Sequence, residues 1–331
     1  MTWNTGETFR EESVAIRGPA GTLAGTLSLP TAGATRGVVL ILAGSGRGDR
    51  DGNQKQLRTN VYRDLAHELS RQGFVTLRYD KRGVGASAGD GYSVGMWDRV
   101  DDAAAAVAYL RGRSQDTALP IIILGHSEGC IIGTAVNARQ RMDGLVLLAA
   151  PCESLAATSP RQQAGAIEDL RRMPGFAGAL VRALRVPERQ SRKAEAVMRR
   201  LLTSERPWIR VSGVKLNAKW IREHMAYDIA SDLPKVTCPT LAITGAKDVQ
   251  VLPEHAQKIA ETVGGPGEWR IIPDMTHILR RTRGDVNMIN LVKLYRQQCL
   301  EPIDEELLQV LEAWLGRYFP SRSEPAGAAG P

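Results

Sequence analysis

The sequence predicts an α/β fold in which a mostly parallel central sheet carries helices on both faces, with an antiparallel hairpin at the N-terminal end and an inserted helical cap. Three observations predict it. Apolar runs such as residues 37–43 and 144–150 are too short for helices of their own and suit strands covered on both faces. Stretches with apolar residues at helical spacing alternate with these runs, the pattern of strand, crossover helix and parallel strand. The third observation is the stretch 120–134, where a short apolar run leads into Gly125-x-Ser127-x-Gly129 and then into small and apolar residues at helical spacing. It reads as strand, sharp turn and helix with a serine at the tip.

The elements follow in order. Residues 12–16 and 22–29 alternate apolar and polar side chains around Gly18-Pro19-Ala20-Gly21, so they form an antiparallel hairpin. Residues 30–36 are a loop, and 37–43 are the first buried strand. A glycine-rich, charged loop follows, Gly44-Ser45-Gly46-Arg47-Gly48-Asp49-Arg50-Asp51-Gly52. A helix over 60–72 places Val61, Leu65 and Leu69 on one face and stops at Gly73. Residues 74–79 make a strand closed by Asp80-Lys81-Arg82-Gly83. A helix over 97–112 turns Val100, Ala104, Val107 and Leu110 inward, and the serine turn and the strand 144–150 come next. After Pro151 no buried strand is expected until 240–245 and 269–273, and a last helix over 304–318 packs Leu307, Leu308, Leu311, Trp314 and Leu315. The predicted organisation is a core from 10–152 and 236–319, a helical cap at 153–235 and a disordered Pro/Ala/Gly/Ser tail at 320–331.

Composition narrows the classes of function. The N-terminus has no basic segment followed by an apolar run, and no stretch reaches the roughly 18 apolar residues of a spanning helix. A cytoplasmic protein without stable membrane insertion is expected. The four cysteines are far apart, with no Cys/His cluster at metal-ligand spacing, so reduced thiols, no metal and no cofactor are expected. The formal net charge is +7, and residues 160–210 account for it with eleven arginines and one lysine against five acids. Anionic substrates, acidic lipids and nucleic acid are the partners such charge suggests. Yet the arginines interleave with apolar residues at helical spacing, as on a solvated face above a packed one, and no nucleic-acid module accompanies them. Nothing in the sequence excludes a homo-oligomer.

A serine hydroxyl needs a base to take its proton, and the base needs a carboxylate to orient it. Asp248 lies three residues past the strand 240–245, and His277 lies four past the strand ending at Pro273. Loops after parallel strands are where such sheets hold ligands, and Ser127, Asp248 and His277 are the candidate triad. Among the other four histidines, His126 lies in the turn itself, His67 and His255 lie on helical stretches and His224 lies in the cap. Asp274 and Asp285 flank His277 without following a strand at the required distance. Gly125 and Gly129 leave room for strand and helix to close around the serine. The charge developing on a carbonyl oxygen needs N–H donors, each supplying about 3 kcal/mol. The backbones of Glu128 and Ser45 are the candidates, and the Glu128 side chain is assigned to a polar network. Gly44-x-Gly46-x-Gly48 does not match a phosphate-binding pattern. Asp49, Arg50, Asp80 and Arg82 are candidate loop anchors.

With these residues in view, the chain resembles the α/β-hydrolase superfamily over nearly its full length. More narrowly, it resembles the bacterial serine esterases that carry Gly-Ser-Gly-x-x-Asp-Arg-Asp-Gly (44–52), Tyr-Asp-Lys-Arg-Gly-x-Gly-x-Ser (79–87), Gly-His-Ser-Glu-Gly (125–129), Gly-x-x-Asp-x-Gln-Val (245–251) and a late histidine (His277). Ala43 departs from the histidine that relatives often carry there. The resemblance implies cofactor-free hydrolysis of small-molecule carboxylic esters, often with short acyl groups. Thioesterase, lactonase, peptidase or acyltransferase activity, and a non-catalytic binding role, are the alternatives, because fold alone does not fix function.

Overall fold

The computed structural model describes residues 8–113 and 119–321. Of the expected tail, residues 322–331 lie outside the described residues. The chain begins with the hairpin β1 (Phe9–Gly18) and β2 (Gly21–Pro30), then β3 (Gly37–Leu42). A short ladder of β4 (Asn53–Gln54) and β5 (Leu57–Arg58) leads to α1 (Val61–Arg71), β6 (Phe74–Tyr79) and α2 (Met96–Arg113). Next come β7 (Ile121–His126), α3 (Glu128–Arg139) and β8 (Gly144–Leu148). The chain then leaves the sheet for α4 (Leu155–Arg171), α5 (Gly175–Ala183), α6 (Val186–Thr203), β9 (Trp208–Val211), β10 (Val214–Asn217) and α7 (Ala218–Ala226). It returns as β11 (Thr240–Gly245), α8 (His255–Thr262), β12 (Gly267–Ile272), α9 (Leu291–Gln298) and α10 (Glu305–Tyr318).

The main sheet has eight strands in the order β1-β2-β6-β3-β7-β8-β11-β12. β1, β2 and β6 pair antiparallel, and every pairing from β6 to β12 is parallel. Strand periodicity divides the core into two layers. Val38, Leu40 and Leu42 of β3 face the layer of α2 and α3, whereas Val39 and Ile41 face that of α1 and α10. Ile121 and Ile123 of β7 likewise oppose Ile122 and Leu124. Burying each such side chain contributes roughly 1.5–3 kcal/mol, so both faces of the central strands must stay apolar. The covering helices are delimited locally. Gly73, at φ 91°, ends α1, and the Asp304 carboxylate caps α10 by accepting from the N–H groups of Glu306 and Leu307 at 2.9 and 3.3 Å.

Two expectations for residues 153–235 need correction. The segment is not purely helical, because β9 and β10 form an antiparallel hairpin. Ser212 and Gly213, with φ of 48° and 82°, supply the two left-handed residues of its tight turn. Nor do the apolar residues all pack beneath the arginines. Leu201 is buried, but Phe176, Leu180 and Leu184 are 86%, 48% and 49% exposed. The reason is geometric: α5 lies outside α4 and α6, and Gly178 is its one buried residue.

Candidate active site

Register places the site. Leu42 pairs with Gly125 across β3 and β7, so the loop after β3 emerges beside the turn after β7. Ser127 occupies that turn at φ 54° and ψ −118°, a conformation costly for a residue with a side chain. The turn is compact because its glycines allow close backbone approach. A Cβ on Gly129 would stand 2.0 Å from the Leu42 carbonyl oxygen, and one on Gly125 would stand 2.5 Å from that of Gly129. The buried Cys130 thiol reaches the carbonyls of Gly125 and Leu148 at 3.2 Å each, and burial pushes its pKa up, so it remains a neutral thiol. All four cysteines are free.

Asp248 and His277 meet above the ends of β11 and β12. The Nδ1–H of His277 donates to Asp248 Oδ2 at 2.7 Å, while Asp248 Oδ1 accepts from the N–H groups of Gln250 and Val251 at 2.8 and 3.0 Å. This fixes the carboxylate and leaves Nε2 of the imidazole as the basic nitrogen. Ser45, Ser127, Glu128 and His277 line one cavity of about 170 Å³, whose wall includes Leu155, Thr158 and Gln162 of α4 and Trp220 and His224 of α7. Thus all three candidate triad residues lie at one end of the sheet, and both proposed oxyanion donors belong to residues lining the cavity.

The Ser45 loop is held from two sides. Lys81 Nζ donates to the carbonyls of Gly44 and Gly46 at 2.6 Å each. Burial and, secondarily, the nearby Arg99 lower its pKa to about 7. On the other side the Gly44 N–H donates to the Tyr62 hydroxyl at 2.7 Å, and that hydroxyl donates to His126 Nδ1 at 2.9 Å. His126 Nε2–H donates in turn to the His277 carbonyl at 2.8 Å. Only one tautomer satisfies this chain, because a carbonyl can only accept. Burial and the neighbouring His277 push the His126 pKa down to about 3, so the ring is neutral.

Glu128 joins the turn to the segment above it. Its buried carboxylate accepts from Arg99 of α2, from Trp220 Nε1 at 2.5 Å and from His224 Nε2 at 2.8 Å. Burial would raise the carboxyl pKa, but Arg99, His224 and Lys81 outweigh it and hold the group below the usual carboxylate range. The loop anchors lie farther out. Asp49 Oδ1 accepts from the N–H groups of Asp51 and Asn53 at 3.0 and 2.8 Å. Arg50 pairs with Asp80 at 2.9 Å, and the Arg50 N–H donates to the same carboxylate at 2.8 Å. Arg82 reaches across to Asp102 of α2 at 2.6 and 3.0 Å. Of the rival residues, Asp274 pairs with Lys247 at 3.5 Å, His67 bonds Glu11 at 2.8 Å and His255 accepts from the Cys152 N–H at 3.1 Å.

The roles of Lys81, Tyr62, Arg99, Trp220 and His224 were not legible in the sequence. Lys81 alone had a local signal, its place in the loop closing β6 beside the Ser45 loop. Among the described residues, no group of three or more His, Cys, Asp or Glu side chains is arranged to hold a metal ion.

Comparison with known proteins gives the family and the fold. Residues 57–281 match the family model described as serine aminopeptidase, S33. Esterase EstD of Thermotoga maritima is 23% identical over 312 residues, which span 93% of this chain and 68% of that protein. Among solved structures, the Pyrococcus furiosus esterase Pf2001 superposes with a TM-score of 0.57 at 15% identity, covering 96% of this chain and 97% of that one. Est1E of Butyrivibrio proteoclasticus, solved with ferulic acid bound, gives 0.55 at 18% identity over 87% and 98% of the two chains. The α/β hydrolase GrgF of Penicillium sp. gives 0.59 at 17% identity over 94% and 99%. The fold they share with this chain is the α/β-hydrolase fold.

Proposed function

Given that the chain belongs to the serine aminopeptidase, S33, family of hydrolases, we propose that it is a serine esterase acting on small carboxylic esters through an acyl-enzyme on Ser127. The observation that carries this reading is the 2.7 Å bond between His277 and Asp248 in a cavity shared with a serine at φ 54°. His277 Nε2 takes the Ser127 proton as Oγ attacks the ester carbonyl, and the Asp248 carboxylate stabilises the imidazolium. The N–H groups of Ser45 and Glu128 receive the oxyanion. His277 returns the proton to the departing alcohol, and then activates the water that cleaves the acyl-enzyme. Residues 153–235 act as a cap that forms part of the cavity wall.

The family description also raises an aminopeptidase reading, in which a carboxylate in the cavity would hold a substrate ammonium group. The two acids lining the cavity are already engaged. Glu128 is bound by Arg99, Trp220 and His224, and Glu153 pairs with Arg161 at 2.6 Å. This favours a neutral ester over a peptide N-terminus, as do the names of the Thermotoga and Pyrococcus esterases. The cavity of about 170 Å³ is small, which favours short acyl groups.

The test compares an ester, thioester, lactone and amide matched as closely as chemistry allows, together with an aminoacyl anilide. The ester should give the highest kcat/KM, falling as the acyl chain lengthens. Faster turnover of the aminoacyl anilide would replace the esterase reading with the peptidase one. No turnover of any substrate by folded protein would favour a binding role.

A further inference from the structure

We propose that α5, flanked by the basic residues of α6, is a docking face for an anionic lipid bilayer surface. Two features of α5 conflict in water. Its sequence, GFAGALVRA, is almost wholly apolar, yet Gly178 is its one buried residue and Phe176 is 86% exposed. Phe176, Leu180 and Leu184 recur every fourth residue, so they form one outward stripe with the C-terminal leucine just beyond the helix.

The attachment of α5 does not use this stripe. A Cβ on Gly178 would stand 1.8 Å from the Met173 carbonyl oxygen, so the helix backbone folds directly against the linker that leaves α4. Arg182 bonds the carbonyls of Arg171 and Met173 at 2.9 and 3.0 Å. Backbone approach and one guanidinium secure the helix, leaving its apolar side chains outward. An apolar stripe displayed on such a mount has the form of an interaction surface.

The surrounding charge selects the occupant. Residues 160–210 carry twelve basic side chains against five acids, and Glu168 and Glu188 are engaged by Arg172 and Arg171. Arg185, Arg189 and Arg192 are exposed on the chain leading from α5 into α6. A second copy meeting this face through its own would bring like charges together. Nucleic acid would satisfy the arginines but not the aliphatic stripe. An anionic bilayer offers acidic headgroups to the guanidiniums and an acyl boundary to Phe176 and Leu180, with the helix lying in the interface plane. No helix among the described residues is long and apolar enough to cross a membrane, so the contact is peripheral. Meanwhile α4 contributes Leu155, Thr158 and Gln162 to the cavity, so the same short bundle joins the docking face to the site.

The test is co-sedimentation of the full-length protein with vesicles of phosphatidylcholine alone or an equal mixture of phosphatidylcholine and phosphatidylglycerol. Sedimentation is expected with the anionic vesicles and should fall as salt screens the arginines. It should be lost in the double variant Phe176→Ser/Leu180→Ser and weakened in Arg189→Ser/Arg192→Ser. Both variants should retain the parent's circular dichroism and its hydrolysis of a soluble short-chain ester. Absence of sedimentation, equal sedimentation with neutral vesicles, or sedimentation unchanged by the double replacement would each overturn the proposal. A dimer in solution that the double replacement dissolves would assign the face to a second copy instead. Because sedimentation requires no turnover, its result is independent of the esterase reading.

Discussion

Ser127 stands at φ 54° in a turn closed tightly by Gly125 and Gly129, and it lines the cavity. On the proposed mechanism, Ser127→Ala removes the nucleophile and should lower kcat by about 10⁴-fold or more without lowering Tm. Asp248→Asn preserves shape but loses the carboxylate, and kcat should fall by about 10⁴-fold. Lys81→Met removes the donor holding the Gly44 and Gly46 carbonyls, so the proposed oxyanion loop loosens while the proposed triad stays intact. Its kcat should fall about ten- to a hundred-fold, less than for loss of an oxyanion donor, with KM little changed. Steady-state kinetics on one ester checks all three. His126 makes a prediction about stability. Its pKa is lowered from 6.5 to about 3 in the folded protein, so the stabilisation it gives is complete above pH 6.5 and is lost as pH falls towards 3. Between pH 6.5 and 4.5 the Glu128 carboxyl does not yet contribute, whereas His255, also lowered by burial, shares the loss. Urea titrations across that window should show His126→Gln losing stability less steeply than the parent, by up to about 1.4 kcal/mol per pH unit.

At the scale of elements, the Glu128 carboxylate ties α2, the start of α3 and α7 together. Glu128→Gln would leave the part-buried Arg99 without its counter-charge, and denaturant unfolding should report a loss of about 3–5 kcal/mol. If this tie also anchors the proposed cap, protease should cut between α4 and α7 faster in the variant. This cluster shows why parts of the site escaped sequence reasoning. Strands buried on both faces must be apolar throughout, so β3, β7, β8 and β11 announce themselves as short continuous runs. Nucleophile chemistry demands a tight glycine-flanked turn, and the strand ends predict where Asp248 and His277 belong. Glu128, by contrast, meets His224 from 96 positions away, and no local pattern encodes such a meeting. The α5 stripe was missed for a related reason. Periodicity tells which residues share a face but not whether another element covers it, and β9 and β10, at four residues each, are too short to show a clear alternation.

For the whole molecule, the parallel sheet gathers four loops at one end: the Ser45 loop, the Ser127 turn, and the loops carrying Asp248 and His277. The segment between β8 and β11 contributes residues of α4 and α7 to the cavity wall and carries the chain's positive charge. On the proposed reading, core and segment have separable duties, chemistry in the first and access and surface association in the second. The central claim is that one serine among the chain's many hydroxyls is activated, and a fluorophosphonate tests it without assuming a substrate. After treatment, peptide mapping by mass spectrometry should find a single adduct on Ser127, absent from Ser127→Ala and strongly slowed in His277→Ala. An adduct on another residue, or ester hydrolysis undiminished in Ser127→Ala, would contradict the account.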